Sequence, residues 1–176
     1  GFMLTPFLAS WKPSERARAA GAPAVVDVSK MEPGQMITAN WRKQPIYIVR
    51  RTPEMLAMLP KHDAELKDPT STDSVQPEYA GNVNRSRRDD LLVLVGICTH
   101  LGCLPKQHFA AADPQLGADW PGGFFCVCHG SKFDMSGRVF KGSPASVNLV
   151  VPPYSFEDDN TLVIGTDDAA AAKGVA

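Results

Sequence analysis

Two short segments rich in cysteine and histidine constrain this chain more than any other feature. The first box has the sequence CTHLGC and spans residues 98–103, and the second, CVCHGS, spans residues 126–131. Each box combines one cysteine and one histidine with a further cysteine. A disulfide scaffold usually distributes its cysteines more widely, so the fold has to bring two compact loops together at one metal site.

The types of ligand in the boxes favour an iron–sulfur cluster. A [2Fe–2S] cluster needs four protein ligands, two on each iron, and two opposed loops can each supply one ligand to each iron. Cys98 and Cys126 would then bind one iron, and His100 and His129 the other. A neutral imidazole in place of a thiolate makes the metal site less negative, so the cluster accepts an electron more readily.

Cys103 and Cys128 remain outside this ligand set. If the loops close over a cluster, the two cysteines lie at the loop bases and could form a disulfide, which would place the domain in an oxidising compartment. Free buried thiols are the alternative. A zinc site fits poorly, because Cys2His2 sites pair cysteine with cysteine and histidine with histidine. Two structural disulfides with incidental histidines are a further alternative.

The two boxes in this order resemble those of the Rieske proteins of cytochrome bc1 and related complexes, in which histidine ligands are known to raise the cluster potential. The similarity extends along most of the chain. It implies the ligands named above and a disulfide between Cys103 and Cys128. It also implies that Ser131 donates a hydrogen bond to a cluster sulfur and that Leu101 shields the cluster beside the quinol pocket. Residues 142–146 correspond to the family's proline loop, a third wall of the site.

Three positions depart from the family pattern. Val127 stands where the family often has proline, and Phe133 stands where it often has a tyrosine that donates its hydroxyl to a cysteine sulfur. Because Phe133 cannot donate, we expect a lower potential than in a tyrosine-bearing relative. Ser143 and Ser146 flank Pro144 in the segment that commonly reads Gly-Pro-Ala-Pro.

The N-terminal segment, residues 1–11, is mostly apolar. As a helix it would reach about 16 Å, half of the roughly 30 Å of a bilayer core. It is either a core strand or fraying terminus or, as we prefer, the end of an N-terminal transmembrane helix, since Trp11 and Lys12 suit the membrane interface. Residues 12–23 are predicted to be a hinge linker. Residues 24–176 would form the Rieske domain, with the cluster-binding part at about 98–146.

The remaining pattern predicts an all-β fold, a Rieske-type antiparallel β-sandwich with a loop-borne cluster-binding subdomain. Strands are expected over residues 25–28, 36–41, 46–50, 91–97, 122–127, 138–140, 147–151 and 161–164, with a short helix over 53–59 capped by Thr52. Residues 61–88 are expected to be a polar, irregular surface excursion. We expect His62, His108 and the arginines of residues 85–88 to be solvated.

The resemblance implies a high-potential electron-transfer subunit of quinol–cytochrome c reductase. His129 would accept a hydrogen bond and a proton from quinol, and the electron would pass to a c-type cytochrome. The expected partners are cytochrome b and a cytochrome c1-type subunit, in a bacterial inner membrane with the head on the periplasmic side. The net charge of −1 argues against nucleic acid. A molybdenum oxidase such as arsenite oxidase, or a soluble Rieske ferredoxin, is the alternative.

Overall fold

Three antiparallel sheets of three strands each build the described part of the protein, which is residues 21–167 of a computed structural model. The all-β class expected from the sequence is confirmed. The expected end of a membrane helix at residues 1–11 and the linker up to residue 20 lie outside the described residues. Within residues 21–167, no helix is long and apolar enough to cross a membrane.

The central sheet has the order β2-β3-β4, formed by Met36–Trp41, Gln44–Arg50 and Leu91–Val95. The predicted hairpin pairs β2 with β3, Met36 opposite Val49 and Trp41 opposite Gln44. Every residue of β4 is buried, as the continuous apolar run predicted. Strand β4 leads directly into the first box, so the most buried strand of the domain supports one loop of the site.

A second sheet pairs the first strand of the domain with its last two strands. It has the order β1-β9-β8, formed by Ala24–Asp27, Thr161–Ile164 and Tyr154–Asp158. Ala24 lies opposite Ile164 in the ladder between β1 and β9. Leu162 and Ile164 from this sheet join the main core with β3 and β4.

The third sheet carries the second box. It has the order β5-β6-β7, formed by Lys106–His108, Gly123–Cys126 and Ser131–Phe133. Cys126 is the last residue of β6 and Ser131 the first of β7, and the two are paired in the ladder. Gly123 packs so closely on the backbone of Phe133 that a Cβ atom would lie 2.0 Å from its carbonyl oxygen, so only glycine fits there.

Helical structure in the described residues is short. Helix α1 spans Pro53–Met58, and Thr52 Oγ1 accepts a hydrogen bond from Met55 N at 3.3 Å, as expected of the predicted cap. Two 3-10 helices follow, Leu59–Glu65 and Glu78–Ala80.

Residues 61–88 are largely irregular, as predicted, but the expectation that their polar side chains are solvated is wrong for several of them, which are buried against distant parts of the chain. His62 is 6% exposed, and its Nε2 lies 3.1 Å from Oδ2 of the fully buried Asp134. Arg138 Nε donates to the same oxygen at 2.8 Å. Arg85 is also fully buried. His108 is likewise not free in solvent, since its Nδ1 lies 3.0 Å from Asp113 Oδ2.

Two expected strands do not form ladders. Residues 138–140 make only isolated bridges, Phe133 with Val139 and Leu66 with Phe140. Residues 147–151 bond to several separate elements, for example Val95 N to Val150 O at 2.8 Å and Val151 N to Val75 O at 3.1 Å. Because successive peptide groups there have partners on different segments, no single neighbouring strand can pair with them.

Candidate metal centre

The two boxes adopt the same local turn. Gly102 N donates to Cys98 O at 3.1 Å, and Gly130 N donates to Cys126 O at 2.9 Å. Each loop therefore closes a five-residue turn and ends on a glycine with positive φ, +88° at Gly102 and +83° at Gly130. A side chain at either glycine would be strained in this backbone conformation, although there is open space around it.

The first cysteine of each box lies at the base of its loop and is buried. Cys98 is 3% exposed and Cys126 is 2% exposed, and both are free thiols. Burial raises the pKa of the Cys126 thiol, and the neighbouring Cys98 raises it further. Two neighbouring thiols shielded from water are suited to binding a metal ion, because the charge of the ion would favour their thiolate forms.

The two histidines lie against each other at the ends of the loops. The rings of His100 and His129 have centroids 4.8 Å apart and meet edge to face at 88°. His129 is exposed, whereas His100 is partly buried. The buried Nδ1 of His100 has no hydrogen-bond partner among the described residues. A buried nitrogen without a partner is costly, and a metal ligand bond would satisfy it.

A disulfide between Cys103 and Cys128 joins the two loops, with 6.6 Å between their Cα atoms. This confirms the pairing that the resemblance implied. The sulfur of Cys126 lies within 4.8 Å of both disulfide sulfurs. Since the disulfide sulfurs are bonded to each other, Cys98 and Cys126 are the cysteines left for a metal. The four residues Cys98, His100, Cys126 and His129 thus offer the mixed donor set that a [2Fe–2S] cluster of this class requires.

Ser131 lies beneath the second loop and is fully buried. Its Oγ accepts a hydrogen bond from Ala145 N at 3.0 Å. The hydroxyl hydrogen is not used in that bond, so it can be donated to another acceptor. The donation from Ser131 to a cluster sulfur stays a prediction.

The tip of the protein is apolar. Leu101 in the first loop is 71% exposed, Leu104 is 53% exposed and Val127 is 58% exposed. The expected shielding of a cluster by Leu101 stays a prediction, and the side chain is exposed in the first loop and outside the core. Phe133 is by contrast fully buried, opposite Phe124 in the ladder of β6 and β7.

A third segment, residues 142–146, contacts the second box, and Val147 directly after it contacts the first box. Ser143 Oγ accepts from Lys132 N at 3.0 Å, next to the second box. Thr99, inside the first box, donates its hydroxyl to Val147 O at 2.6 Å. The segment therefore adjoins the two boxes, as the comparison with the family's proline loop implied.

Two residues that hold these loops were missed from the sequence. Tyr47 of β3 donates its hydroxyl to Pro105 O at 2.8 Å, and its ring stacks on Phe124 at 6.0 Å between centroids. Lys67 donates to two carbonyl groups of the third segment. Tyr47 lies in a predicted strand and Lys67 in a polar stretch, and no local pattern distinguishes either from its neighbours.

Comparison with known proteins agrees with this geometry. The model of the Rieske [2Fe-2S] domain family matches residues 58–154. The ubiquinol–cytochrome c reductase iron–sulfur subunit of Allochromatium vinosum is 50% identical over 97% of this chain and 83% of that protein. The subunit of the same name from Bradyrhizobium diazoefficiens is 41% identical over 92% of this chain and 82% of that protein.

A solved structure described as a hyperthermophilic respiratory Complex III contains a similar chain. The TM-score is 0.55 and the identity 26%, covering 90% of this chain and 89% of that one. The chain therefore belongs to the Rieske [2Fe–2S] family and, within it, to the iron–sulfur subunits of ubiquinol–cytochrome c reductase.

Proposed function

We propose that Cys98 and Cys126 bind one iron of a Rieske-type [2Fe–2S] cluster and that His100 and His129 bind the other. The observation that carries this assignment is the meeting of the two histidine rings, 4.8 Å apart, at the ends of loops whose bases hold the free thiols. The unpartnered Nδ1 of His100 supports it, because that nitrogen is where an iron ligand bond is expected. When bound, the cluster supplies a one-electron acceptor of high potential.

His129 is the proposed contact with quinol. It is exposed at the tip, beside the apolar side chains of Leu101 and Val127. Its ring nitrogen that is not on iron would accept a hydrogen bond from the quinol hydroxyl, and it would take the proton as the electron leaves quinol.

The partners follow from the same proposal. The apolar tip would dock on cytochrome b to reach quinol, and the electron would then pass to a cytochrome c1-type subunit. Residues 1–11 would anchor the chain in a bacterial inner membrane, with the domain on the periplasmic side. The disulfide supports this side, because disulfides persist in oxidising compartments. Residues 12–23 would allow the domain to move between donor and acceptor.

The ligand assignment can be tested by electron paramagnetic resonance of the full chain in membranes, reduced with dithionite, together with iron analysis. The expected result is a Rieske-type signal and two irons per chain, both lost in Cys126→Ser and in His129→Gln. His108→Gln is the matched control, because His108 lies in the same small sheet but pairs with Asp113 outside the boxes. One metal per chain, or a signal that persists in His129→Gln, would contradict the assignment.

A further inference from the structure

We propose that Lys67 is a positioning residue for the centre: it holds residues 142–146 in place and, through them, orients the hydroxyl of Ser131. This inference rests on the proposed function, because it concerns the hydrogen bond from Ser131 to a cluster. Lys67 itself lies in the polar excursion and does not belong to either box.

The contact is made by one ammonium group and two peptide carbonyls. Lys67 Nζ lies 2.5 Å from Ser143 O and 2.7 Å from Ala145 O, the carbonyls on either side of Pro144. A lysine ammonium has three donors, and hydrogen bonds from a charged donor contribute more than neutral ones. Because both acceptors belong to the same short segment, the ammonium fixes their relative orientation as well as their position.

Lys67 is held in place from both sides along the chain. Its backbone N donates to Val139 O at 3.0 Å. Leu66 is buried and bridges to Phe140. The carboxylate of Asp68 accepts four hydrogen bonds from residues 72–74, of which the shortest is 2.7 Å, from Ser74 Oγ. The lysine therefore extends from a rigid stretch of backbone, as a positioning role requires.

The third segment passes this constraint to the second loop. The buried Ala145 donates its N–H to Ser131 Oγ at 3.0 Å, while its carbonyl accepts from Lys67. A hydroxyl oxygen that accepts a hydrogen bond becomes a stronger donor through its own hydrogen. The bond from Ala145 also leaves the hydroxyl hydrogen of Ser131 directed elsewhere. Lys67 thus acts on Ser131 through a single residue.

The third segment lacks one proline of the family pattern, and the contact with Lys67 can replace the rigidity that this proline would provide. Ser146 stands where the family commonly has proline, so the backbone torsion that a proline ring would lock is free to rotate. The two hydrogen bonds from Lys67 restrain the same segment through its carbonyl groups instead of through a ring. Ser146→Pro should therefore compensate for the loss of Lys67.

The experiment measures the cluster potential by redox titration of the electron paramagnetic resonance signal, in membranes that contain the full chain. We expect Lys67→Met to weaken reduction of the cluster about threefold, which is about 28 mV at 59 mV per tenfold for a one-electron couple. Lys67→Arg keeps the charge and the donors and should retain the wild-type potential. Adding Ser146→Pro to Lys67→Met should restore most of the loss.

Lys141→Met is the matched control for charge. Lys141 immediately precedes the third segment, but its Nζ donates to Ala64 O at 2.8 Å and to neither carbonyl beside Pro144. We expect the cluster potential in Lys141→Met to stay at the wild-type value. Hydrogen–deuterium exchange gives a second readout, because residues 142–148 should exchange faster in Lys67→Met and not in Lys141→Met. If Lys67→Met does not accumulate, Lys67→Gln replaces it, with a loss in the same direction.

Three results would overturn the proposal: an unchanged potential in Lys67→Met or its substitute Lys67→Gln, an equal loss in Lys141→Met, or unchanged exchange of residues 142–148 in Lys67→Met. An equal loss in Lys141→Met would show that the change in potential comes from the lost charge alone. Failure of the proposed function would look different, because the wild-type chain itself would then lack a Rieske-type signal.

Discussion

The disulfide between Cys103 and Cys128 offers the most quantitative prediction. Replacing both cysteines with serine opens a loop whose ends are 25 residues apart. In the chain-entropy treatment, closing a loop of that length stabilises the folded state by about 3.5 kcal/mol, because the unfolded chain has fewer conformations to lose. For a domain of this size, each kcal/mol corresponds to about 2–4 °C in Tm, so we expect Tm to fall by about 7–14 °C.

Two assays check this value. Urea unfolding of the full chain under anaerobic conditions gives the change in free energy, and hydrogen–deuterium exchange shows where it acts. We expect faster exchange in residues 104–125, which the disulfide encloses, and also in the slowest amides of the central sheet of β2, β3 and β4, because these exchange through global unfolding. Serine is a suitable replacement because Cys128 is exposed and Cys103 is partly buried.

The single variants provide an internal control. Cys103→Ser and Cys128→Ser each open the same loop. Each single variant should therefore lose nearly as much unfolding free energy as the double variant, so the two single losses should not sum to the double loss. A loss below about 1 kcal/mol in the double variant, or single effects that sum to the double effect, would refute the loop-entropy reasoning.

Three further predictions concern residues around the centre. Burial raises the pKa of Asp68, but hydrogen bonds from residues 72–74 outweigh it, and the net pKa is lowered. The stabilising effect of the Asp68 carboxylate is therefore complete above the unfolded pKa of about 3.9, and it is lost as the pH falls through the lower folded pKa. Asp68→Asn should cost about 2 kcal/mol of unfolding free energy at neutral pH. In urea unfolding, this cost should shrink below about pH 4. Tyr47→Phe removes the bond to Pro105 and should cost about 1 kcal/mol in urea unfolding, and an unchanged stability would show that the bond is dispensable. Phe133→Tyr should raise the cluster potential in a redox titration, and no rise would remove the reason given for a low potential in this chain.

The sequence predicted most of the centre because the chemistry is local. Each box contains its own cysteine, histidine and turn-forming glycine, so spacing alone identified the loops. The pairing of Cys103 with Cys128 followed from the resemblance and is present in the structure. The contacts of Tyr47 and Lys67 join residues far apart in the chain, 58 positions for Tyr47 and Pro105. No local pattern encodes such a distance.

The secondary structure was also predictable where its pattern is local and not where it depends on distant contacts. Strands β2, β3 and β4 were predictable from apolar runs and a turn, whereas residues 61–88 looked like solvent-exposed loop because they are polar. In the structure, polar groups there satisfy one another inside the protein: Arg51 Nη2 donates to Ser86 Oγ at 2.7 Å, and His62 pairs with Asp134. Polarity predicts exposure only when a side chain lacks a buried partner, and the partners here lie in distant segments.

The closeness of Cys126 to the disulfide bears on how the protein matures. Cys126 Sγ lies within 4.8 Å of both disulfide sulfurs. Once deprotonated, it could attack either one, forming a new S–S bond and releasing the other sulfur as a thiolate. The product would tie up Cys126 and free a cysteine that the centre does not use. Iron bound to Cys126 would engage the electron pair of its sulfur and so make that sulfur a weaker nucleophile. The arrangement therefore favours a fixed order of assembly, with the metal inserted first and the cysteines oxidised afterwards.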